Sequence, residues 1–173
     1  MKNFGFLVLV ALMLSGIVAK AQVVKTWNVY ILNDLSNTGI AVAMTKSGQI
    51  ELSTKTWLAT NRAVSWVITK YSDGNYTIHQ EFTQGPGFFT CTWNGTAEGS
   101  TVWVFPGGTE EARKAPNRQW KIVKEARNYT IRNAVSGAVL TGNKDKMLLS
   151  KFTNTRSTLW YFVDGNGNQV NID

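Results

Sequence analysis

The chain has 173 residues, 18 Lys and Arg against 11 Asp and Glu, a formal charge of +7, one histidine and one cysteine. With Cys91 alone no intramolecular disulfide can form, and with His79 alone neither a zinc cluster nor a Ser-His-Asp triad can be assembled. The basic residues are scattered singly or beside acids, as in Lys144-Asp145-Lys146, which argues against a nucleic-acid-binding face.

Residues 1–22 read as a secretory signal peptide: Lys2 opens a short basic region, 4–18 is apolar, and Ala19-Lys20-Ala21 is a small-residue cleavage site. A membrane anchor fits less well, because the apolar run falls short of the roughly 20 residues a spanning helix needs. No cysteine lies near the cleavage site to carry a lipid. The expectation is a secreted, periplasmic or extracellular protein, without stable membrane insertion once the signal is removed. Losing Lys2 and Lys20 lowers the charge from +7 to +5, and residues 23–173 suit one domain.

In chain order, alternation of apolar residues predicts strands at 29–33 and 40–43, a turn at Ser47-Gly48, then a strand at 49–53. The chain passes Trp57 to reach a strand at Trp66. Strands at 76–79, 88–93 and 101–105 follow. Residues 106–116 carry glycine and charge between two prolines and read as an exposed loop before Trp120. The last strands fall at 129–133, 138–141, 147–150 and 159–163. No stretch of the mature chain keeps the three-and-four spacing of a long helix.

Within this series one unit recurs. Asn75-Tyr76-Thr77-Ile78 returns as Asn128-Tyr129-Thr130-Ile131, 53 residues on, each copy preceded by a Trp-x-apolar strand beginning at Trp66 or Trp120. Ser72-Asp73-Gly74 makes the first copy a hairpin with Trp, Ile, Tyr and Ile on one face. A third such strand begins at Trp160. Val29, Ile31 and Asn33 match Tyr129, Ile131 and Asn133, so three repeats of four short strands span the chain.

Residues 129–140, Tyr-Thr-Ile-Arg-Asn-Ala-Val-Ser-Gly-Ala-Val-Leu, follow the line Y-x-I-x-N-x-x-S-G-x-x-L of the ricin-B-type lectins, with Trp160 at the end of the repeat. The mature chain thus resembles that family over nearly its whole length, and the resemblance implies an all-β β-trefoil. It also implies that sugar-binding repeats carry an aspartate just after the S-G-x-x-L strand and a glutamine two residues before the tryptophan. By alignment the aspartate positions hold Ala43, Cys91 and Thr141, and the glutamine positions hold Val64, Arg118 and Thr158.

Trp66, Trp120 and Trp160, with Tyr76 and Tyr129, are expected in the core, and Asn33 and Asn133 at turn backbone. Trp27, Trp57, Trp93 and Trp103 lie outside the repeat pattern. Trp27 and Trp93 suit the ends of a barrel equally well. A sugar stacks its C–H face on an aromatic ring while amides take its hydroxyls, so the candidate carbohydrate-binding residues are Trp103 with Asn117 and Gln119, and Trp57 with Asn61. The expected function is a non-catalytic module that binds a cell-surface or extracellular carbohydrate, without cofactor or metal. The alternative is an extracellular protein partner, a protease among them, met through a loop such as 106–116. A glycan-acting enzyme ranks last, since Glu110-Glu111 sit beside Arg113 and Lys114 in that loop.

Overall fold

The computed structural model describes residues 21–35, 38–44, 50–56, 65–82, 85–91, 96–143 and 146–173. The strands in the first half are β1 (Val23–Asn33), β2 (Thr38–Met44), β3 (Ile50–Thr56), β4 (Trp66–Tyr71), β5 (Tyr76–Phe82) and β6 (Gly85–Cys91). After them come β7 (Val102–Pro106), helix α1 (Thr109–Lys114) and a 3-10 turn at Pro116–Arg118. The chain ends with β8 (Trp120–Glu125), β9 (Asn128–Asn133), β10 (Val139–Asn143), β11 (Lys146–Ser150), a 3-10 turn at Arg156–Thr158 and β12 (Trp160–Val163).

The strand pairings among the described residues are antiparallel, and six of them close a barrel: β1 with β4, β4 with β5, β5 with β8, β8 with β9, β9 with β12, and β12 with β1. Closure leaves no edge among these six strands for another chain to extend. The other strands pair as hairpins, β2 with β3, β6 with β7 and β10 with β11. The repeated Trp…Asn-Tyr-Thr-Ile sequences are the barrel hairpins β4–β5 and β8–β9. Ile68 faces Ile78 in the first and Ile122 faces Ile131 in the second. The first turns through Gly74 at φ +74°, with Asp73 Oδ1 accepting from Asn75 N at 2.8 Å. Its counterpart turns through Ala126 at φ 56°, a left-handed conformation costing a non-glycine residue about 1–2 kcal/mol.

Alternation along the hairpins sends Trp66, Ile68, Tyr76 and Ile78 into the core, and likewise Trp120, Ile122, Tyr129 and Ile131. Trp66, Trp120 and Trp160 are fully buried, and each indole N–H donates to a backbone carbonyl, of Ile40 at 3.2 Å, Phe89 at 3.2 Å and Leu140 at 3.0 Å. The buried indoles therefore have their one polar group satisfied. Phe89 lies edge-on to Trp66, ring centres 4.4 Å apart, and to Trp120 at 6.3 Å. Trp27 belongs to the same core, its ring 6.5 Å from that of Tyr76. At the C-terminus, Ile172 is buried, its N–H donating to Tyr129 Oη at 3.2 Å.

Three features differ from the sequence expectation. β1 starts at Val23 rather than 29, because 23–28 run along β4 from Trp66 to Tyr71. Residues 106–116 are not a bare loop. They contain α1, with Glu110 and Glu111 in its first turn, Arg113 and Lys114 in its last, and Ala112 buried. Acid at the N-terminal end and base at the C-terminal end both favour a helix dipole. Strand 88–93 is shifted to Gly85–Cys91, and Trp93 lies outside the described residues.

Candidate functional site

Trp103 stands on β7 between buried Val102 and Val104, so alternation turns it, with Phe105, to the face away from the core. Its backbone partners are Glu51 on β3 and Thr90 on β6. The ring is half-buried, and its Nε1 is covered without a hydrogen-bond partner among the described residues. Asn117 and Gln119 sit one turn further along, in and just after the first 3-10 turn, which packs against β6 and β9. Trp103 and this turn thus flank the same strand, β6. Trp57 and Asn61 lie outside the described residues.

The turn is held from several sides. Gln119 Oε1 accepts from Asn75 Nδ2 at 3.0 Å, its Nε2 donates to the Arg113 carbonyl, and its own carbonyl accepts from Ala134 N at 2.9 Å. Both ends of its side-chain amide are engaged. Asn133 Nδ2 donates to the carbonyls of Pro116 at 3.1 Å and Gln119 at 3.4 Å, and Asn133 Oδ1 accepts from the N–H groups of Val135 and Ser136. Asn33 repeats the arrangement, donating to Ser157 O at 2.9 Å and accepting from Leu35 N at 3.1 Å. Arg118 crosses over Gly107, where an added Cβ would lie 2.3 Å from Arg118 Nη1, and reaches Glu111 at 3.6 Å.

The three indole bonds also fix a register that the alignment of the repeats misplaced in two of them. Ile40, Phe89 and Leu140 are equivalent, so the residues that follow them are Ala41, Thr90 and Thr141. Matching Gly39 to Gly137 hid this in the first repeat, although Asn33 to Ile40 and Asn133 to Leu140 are equally long, and two extra residues between Tyr76 and Phe89 hid it in the second. None of the three is a carboxylate.

Sequence reasoning gave no weight to a cleft of about 430 Å3 lined by Leu35, Thr141, Gly142, Leu148, Ser150 and Ser157. Its only sequence signal is Thr141, whose hydroxyl bonds that of Ser150. Beside it Arg156 Nε donates to Asp34 Oδ2 at 2.9 Å, and burial pushes the Tyr161 hydroxyl up, Asp34 adding to the shift. In the final turn, Asp164 is held below its usual range by hydrogen bonds from the Asn168 side chain and from backbone N–H groups. His79 is buried on β5, its Nε2 2.9 Å from Glu81 Oε1. Among the described residues no three His, Cys, Asp or Glu side chains converge as metal ligands, and no helix is long and apolar enough to cross a membrane.

The sequence matches no protein-family model and no curated protein. Solved structures do match. The designed threefold-symmetric protein ThreeFoil superposes with a TM-score of 0.65 at 14% identity, over 79% of this chain and 98% of that one. This decides the architecture. The fold is a β-trefoil. A Polyporus squamosus lectin, solved with a human-type influenza-binding epitope, gives 0.63 at 17% identity over 78% of this chain and 48% of its own. SeviL, solved with the asialo-GM1 saccharide, gives 0.60 at 19% identity over 82% and 99%. The trefoil thus spans about half of the Polyporus lectin chain and nearly all of SeviL.

Proposed function

We propose that the protein is a secreted, non-catalytic carbohydrate-binding module, built as three four-strand repeats on residues 23–173 after removal of a signal peptide at 1–22. The observation that carries this reading is the likeness of its trefoil to two lectins solved with saccharides in place. The ricin-B-type aspartates are absent, with Ala41, Thr90 and Thr141 in the register of the indole bonds. Recognition therefore rests on other residues: Trp103 with Asn117 and Gln119, and Trp57 with Asn61. Trp103, half-buried on the outward face of β7, supports the first group as a ring on which a sugar face would stack. Gln119 enters as the residue that fixes the turn, both ends of its amide being engaged. One stacked ring and one or two amide bonds give weak affinity, about 1 mM or −4 kcal/mol per site, and such modules act through multivalency.

Titration of oligosaccharides into the parent, Trp57→Ala and Trp103→Ala, followed by tryptophan fluorescence, tests the site. Binding weakened by one of the two substitutions is the expected result. Binding that survives both rejects these residues.

The runner-up reading is a module that binds an extracellular protein through 106–116. It is favoured by the ordering of that excursion, where Arg113 meets Glu110 at 3.4 Å and Arg118 meets Glu111. A substrate screen showing no saccharide binding, together with a protein partner lost on replacing Thr109–Lys114, would favour it.

A further inference from the structure

The core face of three barrel strands ends in lysine. Along β1 the alternating residues are Val29, Trp27 and Lys25; β4 runs Trp66, Ile68, Lys70, and β8 runs Trp120, Ile122, Lys124. β4 and β8 are each antiparallel to β5, so Lys70 and Lys124 come out at the same end of the barrel. Lys25 joins them there as the direct cross-strand partner of Lys70.

These lysines are not equally compensated. Lys124 Nζ has Asp173 Oδ2 at 3.9 Å. Lys25 and Lys70 take part in no ion pair among the described residues. Their ammonium groups lie instead over aromatic rings, Lys25 at 4.8 Å from the Trp27 ring and Lys70 at 5.9 Å from the Tyr76 ring. Like charges directly opposite one another destabilise a sheet, and the ring faces offset only part of that. The acids of the adjoining turns are committed to their own loops: Asp73 accepts from Asn75 N and Nδ2, and Asp164 from Asn166, Asn168 and its side chain. Two cations, one of them half-buried, therefore lie over aromatic rings with no carboxylate paired to them among the described residues.

We propose that Lys25 and Lys70, set over Trp27 and Tyr76, bind the acidic groups of an anionic glycan, sulfate or carboxylate, at the end of the barrel. This rests on the carbohydrate reading and adds to it a ligand class and a site apart from Trp57 and Trp103. A sugar chain suits the place better than a lipid surface. Lys70 is half-buried beside the buried Tyr76, a setting more open to a single sulfate or carboxylate on a narrow chain than to a plane of headgroups.

The test uses protein purified from an export host expressing the full 173-residue chain. A heparin-derived hexasaccharide, an oligogalacturonate, a neutral oligosaccharide from the fluorescence screen and phosphatidylserine vesicles are titrated by calorimetry at low and high salt. At least one acidic saccharide is expected to bind, weakening as salt rises. Lys25→Gln with Lys70→Gln should reduce that affinity about tenfold or more, as losing bonds to a charged group does. Lys25→Arg with Lys70→Arg should retain it, and Lys151→Gln, an exposed site elsewhere, should leave it unchanged. Thermal midpoints confirm that each variant is folded. The proposal is overturned if no acidic saccharide binds, if Lys151→Gln weakens binding as much as the pair does, or if only phosphatidylserine vesicles are bound. Neutral-saccharide binding without acidic binding would overturn this site and leave the carbohydrate reading standing. Absence of both would remove the two together.

Discussion

Replacing Trp120 by alanine should cost the fold several kcal/mol. The indole is fully buried, lies edge-on to Phe89 at 6.3 Å and donates to the Phe89 carbonyl at 3.2 Å. Large aromatic-to-alanine changes in a core cost about 3–5 kcal/mol, and a carbonyl left unsatisfied adds about 1–3. Relaxation of the cavity offsets part of this, so the lower end, about 3–5 kcal/mol, is the expected loss. For a domain of this size each kcal/mol lowers Tm by about 2–4 °C, giving a fall of roughly 6–20 °C. A domain stable by only about 5–15 kcal/mol could fail to fold after that loss. Trp120→Phe provides the second point, keeping most of the apolar volume and losing the N–H, at about 1–3 kcal/mol. Urea unfolding followed by far-ultraviolet circular dichroism reads both. An alanine variant within 1 kcal/mol of the parent, or a phenylalanine variant more damaged than the alanine one, would refute the burial and hydrogen-bond reasoning.

Asn133→Ala removes the amide that serves the Pro116 and Gln119 carbonyls and the Val135 and Ser136 N–H groups, and should cost about 2–4 kcal/mol. Asn133→Asp, which loses the donors and keeps the acceptor, should fall between it and the parent in the same unfolding assay. Asp164 should contribute stability above its ordinary value of 3.8 and lose it as pH falls through its depressed folded value. Scanning Tm downward from neutral pH should show part of the acid loss disappear in Asp164→Asn; an unchanged profile would contradict the hydrogen-bond account of this turn.

The barrel was legible because its signals are local. Each Trp-x-apolar strand and each Asn-Tyr-Thr-Ile strand shows a period of two, and Asp73-Gly74 marks the turn between one pair. The parts that escaped depend on distant partners or short lengths. α1 has six residues, too few for a helical period to show. Residues 23–26 are exposed in sequence as in space, so only their pairing with β4 reveals a strand. Gln119 looked available as a ligand amide because its bond to Asn75 crosses 44 residues of chain. The positions after Ile40 and Phe89 slipped, the first because Gly39 was matched to Gly137 where no insertion exists, the second because lobe two carries two extra residues, while the indole bonds preserve the register. Lys25 and Lys70 are 45 residues apart in sequence and meet only when β1 and β4 pair.

Whether the trefoil recognises sugar is tested most directly by applying the exported, purified protein, made multivalent on a fluorescent carrier, to an array of mammalian, plant and microbial glycans. The account predicts retention on a restricted set of related saccharides, lost when free saccharide of that set competes and preserved in a folded surface variant such as Lys151→Gln. No retention on any glycan at high valency, with the protein shown to be folded, would contradict it.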